Sequence, residues 1–126
     1  MDIQRVHTGT PWEEQVGFSR VVRAGNMVWT AGTVAADDSG GIHGADCYEQ
    51  CCYIFEKLNA AMAQVGSNLD HVVKVVCFIT GLNHADGFTR AHKQFLGHVQ
   101  PVCTCVVIEA LFGGALAEIE ITALIT

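Results

Sequence analysis

Hydrophobic and polar residues alternate in short runs near both ends of the chain and follow a helical period in two segments between them. The alternation predicts β-strands, because successive side chains of a strand point to opposite faces. The predicted strands are Ile3–Thr8, Phe18–Arg23, Met27–Ala31, Val72–Ile79, Val102–Glu109 and Leu116–Ala123. Val72–Ile79 is apolar apart from Lys74, which predicts burial on most of both faces. Trp12–Gly17 has no clear period and Ala36–Gly44 is rich in Asp, Ser and Gly, so both are predicted to be loops.

Two segments have the period of an amphipathic helix. The first is predicted to begin at Asp46, an N-cap residue, with Glu49 three residues later as its capping partner. Its apolar stripe consists of Tyr48, Cys51, Cys52, Phe55, Leu58, Met62 and Val65, and Gly66 closes it. The second helix is Ala85–Gly97, in which the apolar side also carries His92. A histidine in that position is more typical of a core or an interface than of a catalytic site.

The order of these elements predicts the fold. Phe18–Arg23 and Met27–Ala31 flank an Ala-Gly-Asn turn, and Val102–Glu109 and Leu116–Ala123 flank a Phe-Gly-Gly turn, so each pair is predicted to form a β-hairpin. Strands and two helices in this order predict an α+β fold over residues 1–126, a single domain with a mixed sheet and both helices packed on one face. The other face of the sheet is uncovered, which predicts that copies of the chain associate there.

The amino-acid composition limits the classes of function that the protein can have. Half of the 126 residues are hydrophobic and 16% are charged, values typical of a globular protein. The net charge is −6 without any run of Lys or Arg, which disfavours binding of nucleic acid. The chain starts with no signal peptide and contains no run of about 18 apolar residues, so a cytoplasmic protein without a membrane span is expected.

The chain also contains six cysteines, which are expected to be reduced in the cytoplasm. They form no CxxC pair, and no histidines follow at zinc-finger spacing, so no metal site is predicted. Cys103 and Cys105 share one face of a predicted strand, and Glu118 and Glu120 share one face of the next. The carboxylates are functional candidates because burial of an unpaired charge is costly; the alternative is a solvated outer face. Carboxylates beside the two thiols would raise the pKa of the thiols and make them inert.

Several phrases, taken in this order, resemble the YjgF/YER057c/Rid family, whose members are also labelled endoribonuclease L-PSP or translation initiation inhibitor. They are Val22-Arg23-Ala24-Gly25-Asn26-Met27-Val28 with Ala31-Gly32-Thr33, Val65-Gly66, Pro101-x-x-Thr104-x-Val106, and Ala117-Glu118-Ile119-Glu120. The resemblance covers essentially the whole chain. It implies a chorismate-mutase-like α+β fold, a homotrimer with three clefts at the subunit interfaces, and hydrolysis of reactive enamine or imine intermediates to 2-keto acids and ammonia without a cofactor.

The resemblance also implies roles for individual residues. Glu118 corresponds to the carboxylate that positions the hydrolytic water, and the substrate-binding positions fall on Phe18, Gly32, Thr89, Cys103 and Cys105. Phe18 replaces a tyrosine, Thr89 falls near an asparagine, and Cys103 replaces the arginine that binds the substrate carboxylate in deaminating members. A cysteine supplies neither the charge nor the paired donors of arginine. Arg20 and Arg90 are the candidate replacements. The phrases Trp12-Glu13 and Arg90-Ala91-His92 resemble a divergent subgroup that lacks this arginine.

The sequence leaves three hypotheses for the function of the protein. The first is a cofactor-free imine or enamine hydrolase whose substrate range is altered by Cys103. The second is a non-catalytic trimer that binds a small metabolite in the same intersubunit cleft, with Glu118 as an anchor. The third, ribonuclease activity, conflicts with the acidic composition and with the absence of interleaved basic and aromatic residues. Thiol chemistry at Cys103 and Cys105 is a further alternative.

Overall fold

The structure, a computed structural model, describes residues 2–126 and places six strands in one sheet. The elements are β1 Ile3–Val6, α1 Pro11–Val16, β2 Val21–Ala24, β3 Met27–Thr30, α2 Cys47–Ala63, β4 Val72–Ile79, α3 Ala85–Leu96, β5 Val102–Val107 and β6 Ala117–Leu124. The neighbouring strands are antiparallel except for β4 and β5, which are parallel. The predicted α+β fold with a mixed sheet is therefore confirmed.

The helices cover one face of the sheet. α2 begins at Asp46 as predicted: the Glu49 amide donates to Asp46 Oδ1 at 2.8 Å, and the Ala45 amide donates to Glu49 Oε2 at 2.7 Å. The stripe of α2 is buried against the sheet, with Ile54, Phe55, Leu58 and Met62 fully covered, and α3 packs beside it. The larger of two hydrophobic clusters thus lies between the two long helices and the central strands.

The strand order is β1-β2-β3-β6-β4-β5. The predicted hairpin of β2 and β3 is present, but the predicted hairpin between β5 and β6 is wrong. β6 lies between β3 and β4, and β5 pairs with the far side of β4, where it forms the edge of the sheet. β6 takes the central position because every second residue of it, from Ala117 to Ala123, is buried and apolar. β5 is exposed along its whole length.

This register separates the two pairs of residues that the predicted hairpin had brought together. Cys103 and Cys105 lie opposite Val75 and Cys77 of β4, whose side chains face the helices. Glu118 and Glu120 lie opposite Phe78 and Val76, on the face that no helix covers. The thiols and the carboxylates therefore occupy opposite faces of the sheet, and the predicted carboxylate neighbours of the thiols are absent.

The same alternation corrects the prediction for β4. Val75, Cys77 and Ile79 are buried under the helices, but Lys74 is exposed and Val76 is only partly covered. The strand is buried on one face because the described chain covers only that face of the sheet. Within residues 2–126, no helix has the length and the apolar character needed to cross a bilayer.

The segment Trp12–Gly17, predicted as a loop, is largely helical, since α1 covers Pro11–Val16. The sequence contained a signal for this helix. Thr10 precedes Pro11, and Glu13 follows Thr10 by three residues, the spacing of a capping box with proline in the first turn. The short α1 places Trp12 and Glu13 beside the end of the sheet, where the candidate site lies.

Candidate functional site

A cavity of about 490 Å³ lies where the chain leaves β3 and runs past β6. α1, the segment before β2, the loop after β3, α2 and β6 all contribute to its walls. Its aromatic residues are Trp12, Phe18 and Phe112, and its charged residues are Arg20, Lys57 and Glu118. The volume is within the range of small-molecule sites, which are mainly apolar with a few polar groups. The cavity contains four of the residues predicted from the sequence, namely Phe18, Arg20, Gly32 and Glu118.

Gly32 and Glu118 are in close contact in this cavity. The Thr33 amide donates to the Ile119 carbonyl at 2.9 Å and the Ile119 amide donates back to Thr33 at 3.0 Å, which fixes the loop after β3 against β6. A Cβ atom at Gly32 would lie 2.9 Å from Cδ and 3.1 Å from Oε2 of Glu118. Glycine is therefore required at position 32 for the Glu118 carboxyl group to occupy its present place. In the chain alone, the close approach to the Gly32 backbone is made by a side chain of the same protein.

The Glu118 carboxyl group has the electrostatics of an acid–base group. It is partly buried, and this burial raises its pKa; Glu120 on the same face raises it further, whereas Arg20 opposes the shift. No donor within residues 2–126 forms a hydrogen bond to the carboxylate. The backbone N–H of Gly32 also has no hydrogen-bond acceptor among residues 2–126. A carboxyl group with a raised pKa therefore lies beside a free backbone N–H donor in an apolar cavity.

Arg20 forms a buried ion pair with Glu13 behind this contact. Arg20 Nη2 lies 3.2 Å from Glu13 Oε2, and the two side chains are only 4% and 3% exposed. Arg20 Nη1 also donates to the Gly32 carbonyl at 3.1 Å and to Thr33 Oγ1 at 3.0 Å. Its charge is thus neutralised within the protein, and its guanidinium group holds Gly32 in place. Arg20 Nε is buried and has no acceptor within residues 2–126.

Glu13 is the partner that sequence reasoning did not single out. Burial alone would raise its pKa, but hydrogen bonds from Thr8 and Thr10 and the charge of Arg20 outweigh that effect and lower the pKa to about 2. Thr8 Oγ1 donates at 2.6 Å and Thr10 Oγ1 at 2.7 Å, both to Glu13 Oε2. The capping-box spacing of Thr10 and Glu13 was the signal in the sequence that could have identified this residue.

Lys57 of α2 is a second cavity residue that the sequence did not single out. Its Nζ donates to the Ala36 carbonyl at 2.8 Å, and burial together with the charge of Arg20 lowers its pKa. Lys57 follows Ile54 by three residues and precedes Ala61 by four, so the helical period places it at the margin of the buried stripe. That spacing was the signal in the sequence that could have identified Lys57.

The other predicted site residues lie elsewhere in the chain. Thr89, His92 and Cys103 line a separate cavity of about 340 Å³ between α3 and β5. His92 Nε2 is buried there without a partner in residues 2–126, and burial lowers the pKa of His92. Arg90 is exposed, pairs with Asp86 at 3.0 Å and stacks on the Tyr48 ring. A single chain does not bring these residues to Glu118.

The thiols of β5 show the raised pKa expected from the sequence, but for a different reason. Burial raises the pKa of Cys103, and burial followed by the charge of Cys103 raises that of Cys105, with Cys77 opposing the latter shift. No carboxylate contributes to either shift. Within residues 2–126, no three His, Cys, Asp or Glu side chains are arranged to hold a metal ion.

Comparison with known proteins identifies relatives over almost the whole chain. Residues 11–125 match the model of the family described as endoribonuclease L-PSP. The uncharacterized protein SCO2049 of Streptomyces coelicolor is 33% identical over 122 residues, which are 96% of this chain and 91% of that protein. TdcF of Escherichia coli, named as a candidate reactive intermediate deaminase, is 29% identical over 102 residues, 79% of each chain.

Solved structures agree with this result. Rv2704 of Mycobacterium tuberculosis, described as a member of the YjgF/YER057c/UK114 family, superposes with a TM-score of 0.89 at 31% identity and covers 98% of this chain and 100% of its own. Escherichia coli TdcF with bound serine superposes with a TM-score of 0.78 at 27% identity, over 86% of this chain and 88% of its own.

Proposed function

The chain belongs to the endoribonuclease L-PSP family, also called YjgF/YER057c/Rid, and within this family we propose that it is a cofactor-free hydrolase of reactive imine or enamine intermediates. The observation that carries the proposal is the close contact of the Glu118 carboxyl group with Gly32, whose backbone amide is free, in the wall of the same cavity. The reaction converts a C=N bond and water into a carbonyl compound and ammonia. It needs a group that accepts a proton and then returns it.

Glu118 moves the protons of both stages in the proposed mechanism. Its carboxylate accepts a proton from water as the water oxygen attacks the imine carbon, and the resulting carboxylic acid passes this proton to the nitrogen to give a carbinolamine. The carboxylate then takes the proton of the carbinolamine hydroxyl and delivers it to the nitrogen as the C=O bond forms, the C–N bond breaks and ammonia leaves. The shift of the Glu118 pKa is in the direction that suits this double role, because burial raises it from the ordinary carboxyl value towards neutral pH. The Gly32 amide supplies a fixed donor for charge that develops during the attack.

The substrate range is proposed to differ from that of the arginine-containing deaminases. Cys103 stands where the resemblance implies the arginine that binds the substrate carboxylate, and it cannot replace the charge. Trp12, Phe18 and Phe112 give the cavity large apolar walls. The proposed substrates therefore carry bulkier and more apolar side chains than the small enamines that the family resemblance implies.

A homotrimer is part of the same proposal. The uncovered face of the sheet and the exposed edge strand β5 support it, since Trp29 is 42% and Val102 66% exposed in the chain alone. A neighbouring subunit would then bring Thr89, Cys103 and Cys105 towards the Glu118 cavity. Light scattering combined with size-exclusion chromatography gives the mass in solution, and a monomer at micromolar concentration would contradict this part of the proposal.

The test uses imines generated in situ from amino acids by an amino-acid oxidase, with ammonia release measured in the presence and absence of the protein. Wild type is expected to accelerate ammonia release, and Glu118→Gln is expected to lose the acceleration. Glu120→Gln is the matched control, because Glu120 lies on the same face of the same strand but does not line the cavity. Equal acceleration by wild type and Glu118→Gln would refute the mechanism.

A second candidate is a non-catalytic protein that binds a small metabolite in the same cavity. The observation in its favour is that no protein donor within residues 2–126 orients the Glu118 carboxylate, although catalytic carboxylates are usually held by a neighbouring group. In this case Glu118 would only anchor the ligand. A ligand that is retained unchanged, with no acceleration of ammonia release from any imine, would favour binding over hydrolysis.

A further inference from the structure

Two cationic side chains line the Glu118 cavity, and their surroundings differ. Arg20 is paired with Glu13 at 3.2 Å, and its two terminal nitrogens donate to protein acceptors. Lys57 makes one hydrogen bond, from Nζ to the Ala36 carbonyl at 2.8 Å. An ammonium group has three N–H donors, so two of those on Lys57 remain available. Lys57 is therefore the cation in this cavity that still has bonding capacity.

Lys57 also lacks a counter-ion. Among residues 2–126, no carboxylate lies within ion-pair distance of its Nζ. Its partial burial, together with the charge of Arg20, lowers its pKa, while the charges of Glu13, Asp38 and Asp37 oppose this shift. A partly buried ammonium group without a paired anion is stabilised by an anionic ligand, because the ligand replaces the water that burial removes.

The position of Lys57 indicates the side from which an anion can reach it. The residue lies on the wall between the Glu118 cavity and a shallower cavity, and the shallower one is lined by the acidic residues Asp38 and Glu56. Those carboxylates repel an anion. On the Glu118 side the lining residues include one carboxylate, Glu118, instead of two, together with the apolar Val34 and Ala36 and the neutralised Arg20. An anionic group is thus favoured in the Glu118 cavity.

We propose that Lys57 binds the carboxylate of the substrate, and that the substrates are 2-imino acids with large apolar side chains. This inference rests on the proposed function. Lys57 would take the role that the resemblance gives to an arginine on β5, but from a different element, α2. The cavity of about 490 Å³ accommodates an aromatic amino-acid skeleton, with Trp12 and Phe112 as contacts for the ring. Lys57 at the carboxylate and Glu118 at the C=N bond then hold the substrate in a defined orientation.

Binding of a stable product analogue tests the inference without catalysis. The probes are phenylpyruvate, a 2-keto acid with an aromatic side chain, and its methyl ester, which lacks the negative charge. Isothermal titration calorimetry is expected to show that wild type binds the acid at least tenfold more tightly than the ester. Lys57→Met is expected to lose this preference and Lys57→Arg to retain it. Arg5→Met, which removes an exposed cation of β1 outside this cavity, is expected to match wild type.

Two outcomes overturn the inference: wild type binds acid and ester equally, or Lys57→Met retains the full preference for the acid. If Lys57→Met fails to fold, Lys57→Gln provides the same test, because its amide can still donate to the Ala36 carbonyl. Glu118→Gln separates this inference from the proposed function. It is expected to keep the preference for the acid while it loses imine hydrolysis.

The failures of the two proposals are distinguishable. Imine hydrolysis that requires Glu118 but is insensitive to Lys57 would leave the proposed function intact and refute the role of Lys57. A preference for the acid that depends on Lys57, without any hydrolysis, would leave the anion site intact and refute the hydrolase.

Discussion

The contact between the Gly32 backbone and the Glu118 carboxyl group makes Gly32→Ala an informative substitution. The added Cβ would lie 2.9 Å from Glu118 Cδ, whereas carbon atoms in ordinary contact are about 3.5 Å or more apart. The carboxyl group must therefore move by about 0.6 Å. The φ angle of Gly32 is not in the left-handed region, so alanine fits the backbone. The three nearest atoms all belong to the flexible Glu118 side chain, and the free energy of unfolding should change by about 1 kcal/mol or less.

The catalytic effect should be larger than the effect on stability. A misplacement of about 1 Å in a reacting group can cost about 100-fold in rate, so a movement of about 0.6 Å is expected to lower kcat roughly tenfold. The assay is acceleration of ammonia release from imines generated in situ, combined with thermal unfolding of each variant. Thermal unfolding close to that of wild type with a reduced kcat is the expected result.

Gly41→Ala is a matched control for this substitution. Its Cβ would meet another carboxylate, Asp37, at 3.1 Å from Oδ2, but in an exposed loop outside the cavity. It is expected to leave kcat unchanged. The reasoning would be refuted if Gly32→Ala kept full activity while Glu118→Gln was inactive, since the position of the carboxyl group would then have no influence on the rate.

Three further predictions concern titrating groups. The raised pKa of Glu118 means that the folded state disfavours its ionised form, so Glu118→Gln is expected to melt at a higher temperature than wild type at pH 7–8, with the difference lost as the pH falls through the raised pKa to about 4.5. The pKa of Glu13 is lowered from 4.5 to about 2, so Glu13→Gln is expected to reduce the free energy of unfolding by about 3 kcal/mol at neutral pH, and urea titrations should show this loss vanish as the pH falls from about 4.5 to 2. The raised pKa values of Cys103 and Cys105 predict slow reaction with a thiol reagent at pH 7 despite their exposure, and rapid labelling would contradict this prediction.

The elements that the sequence predicted well depend on residues close together in the chain. The start of α2 is set by Asp46 and Glu49, three residues apart, and the β2–β3 hairpin by a short turn. Thr10 and Glu13 have the same spacing at the start of α1, but this segment lacks an apolar period, which is why its sequence predicts a loop. Local patterns predicted α2 because each contact of its cap lies within one helical turn.

The pairing of β5 and β6 shows where such reasoning fails. The two strands are neighbours in sequence and are separated by a Gly-Gly turn, which favours a hairpin. β6, however, has a fully buried apolar face that is stabilised most when it has β3 and β4 on its two sides. The alternation of residues shows which side chains share a face but does not identify the strand that lies beside them. Competition among all the strands decides that position.

The composition of the cavity depends on the same long-range pairing. Glu118 and Gly32 were both identified by resemblance, but their contact requires the bridge between Thr33 and Ile119. Lys57 reaches the cavity from α2 only because α2 packs under this end of the sheet. Its sequence position alone indicates a residue at the margin of an apolar stripe, which is more often a solvated lysine.

The exposure of β5 has a consequence for how the protein can evolve. Side chains on an exposed edge strand can be exchanged with little loss of folding free energy, whereas Glu118 lies between buried residues of a central strand. Selection can therefore vary Cys103 and its neighbours independently of Glu118, the proposed acid–base group. Mutations at the rim of the sheet can in this way alter the ligand while the group proposed for the reaction is retained.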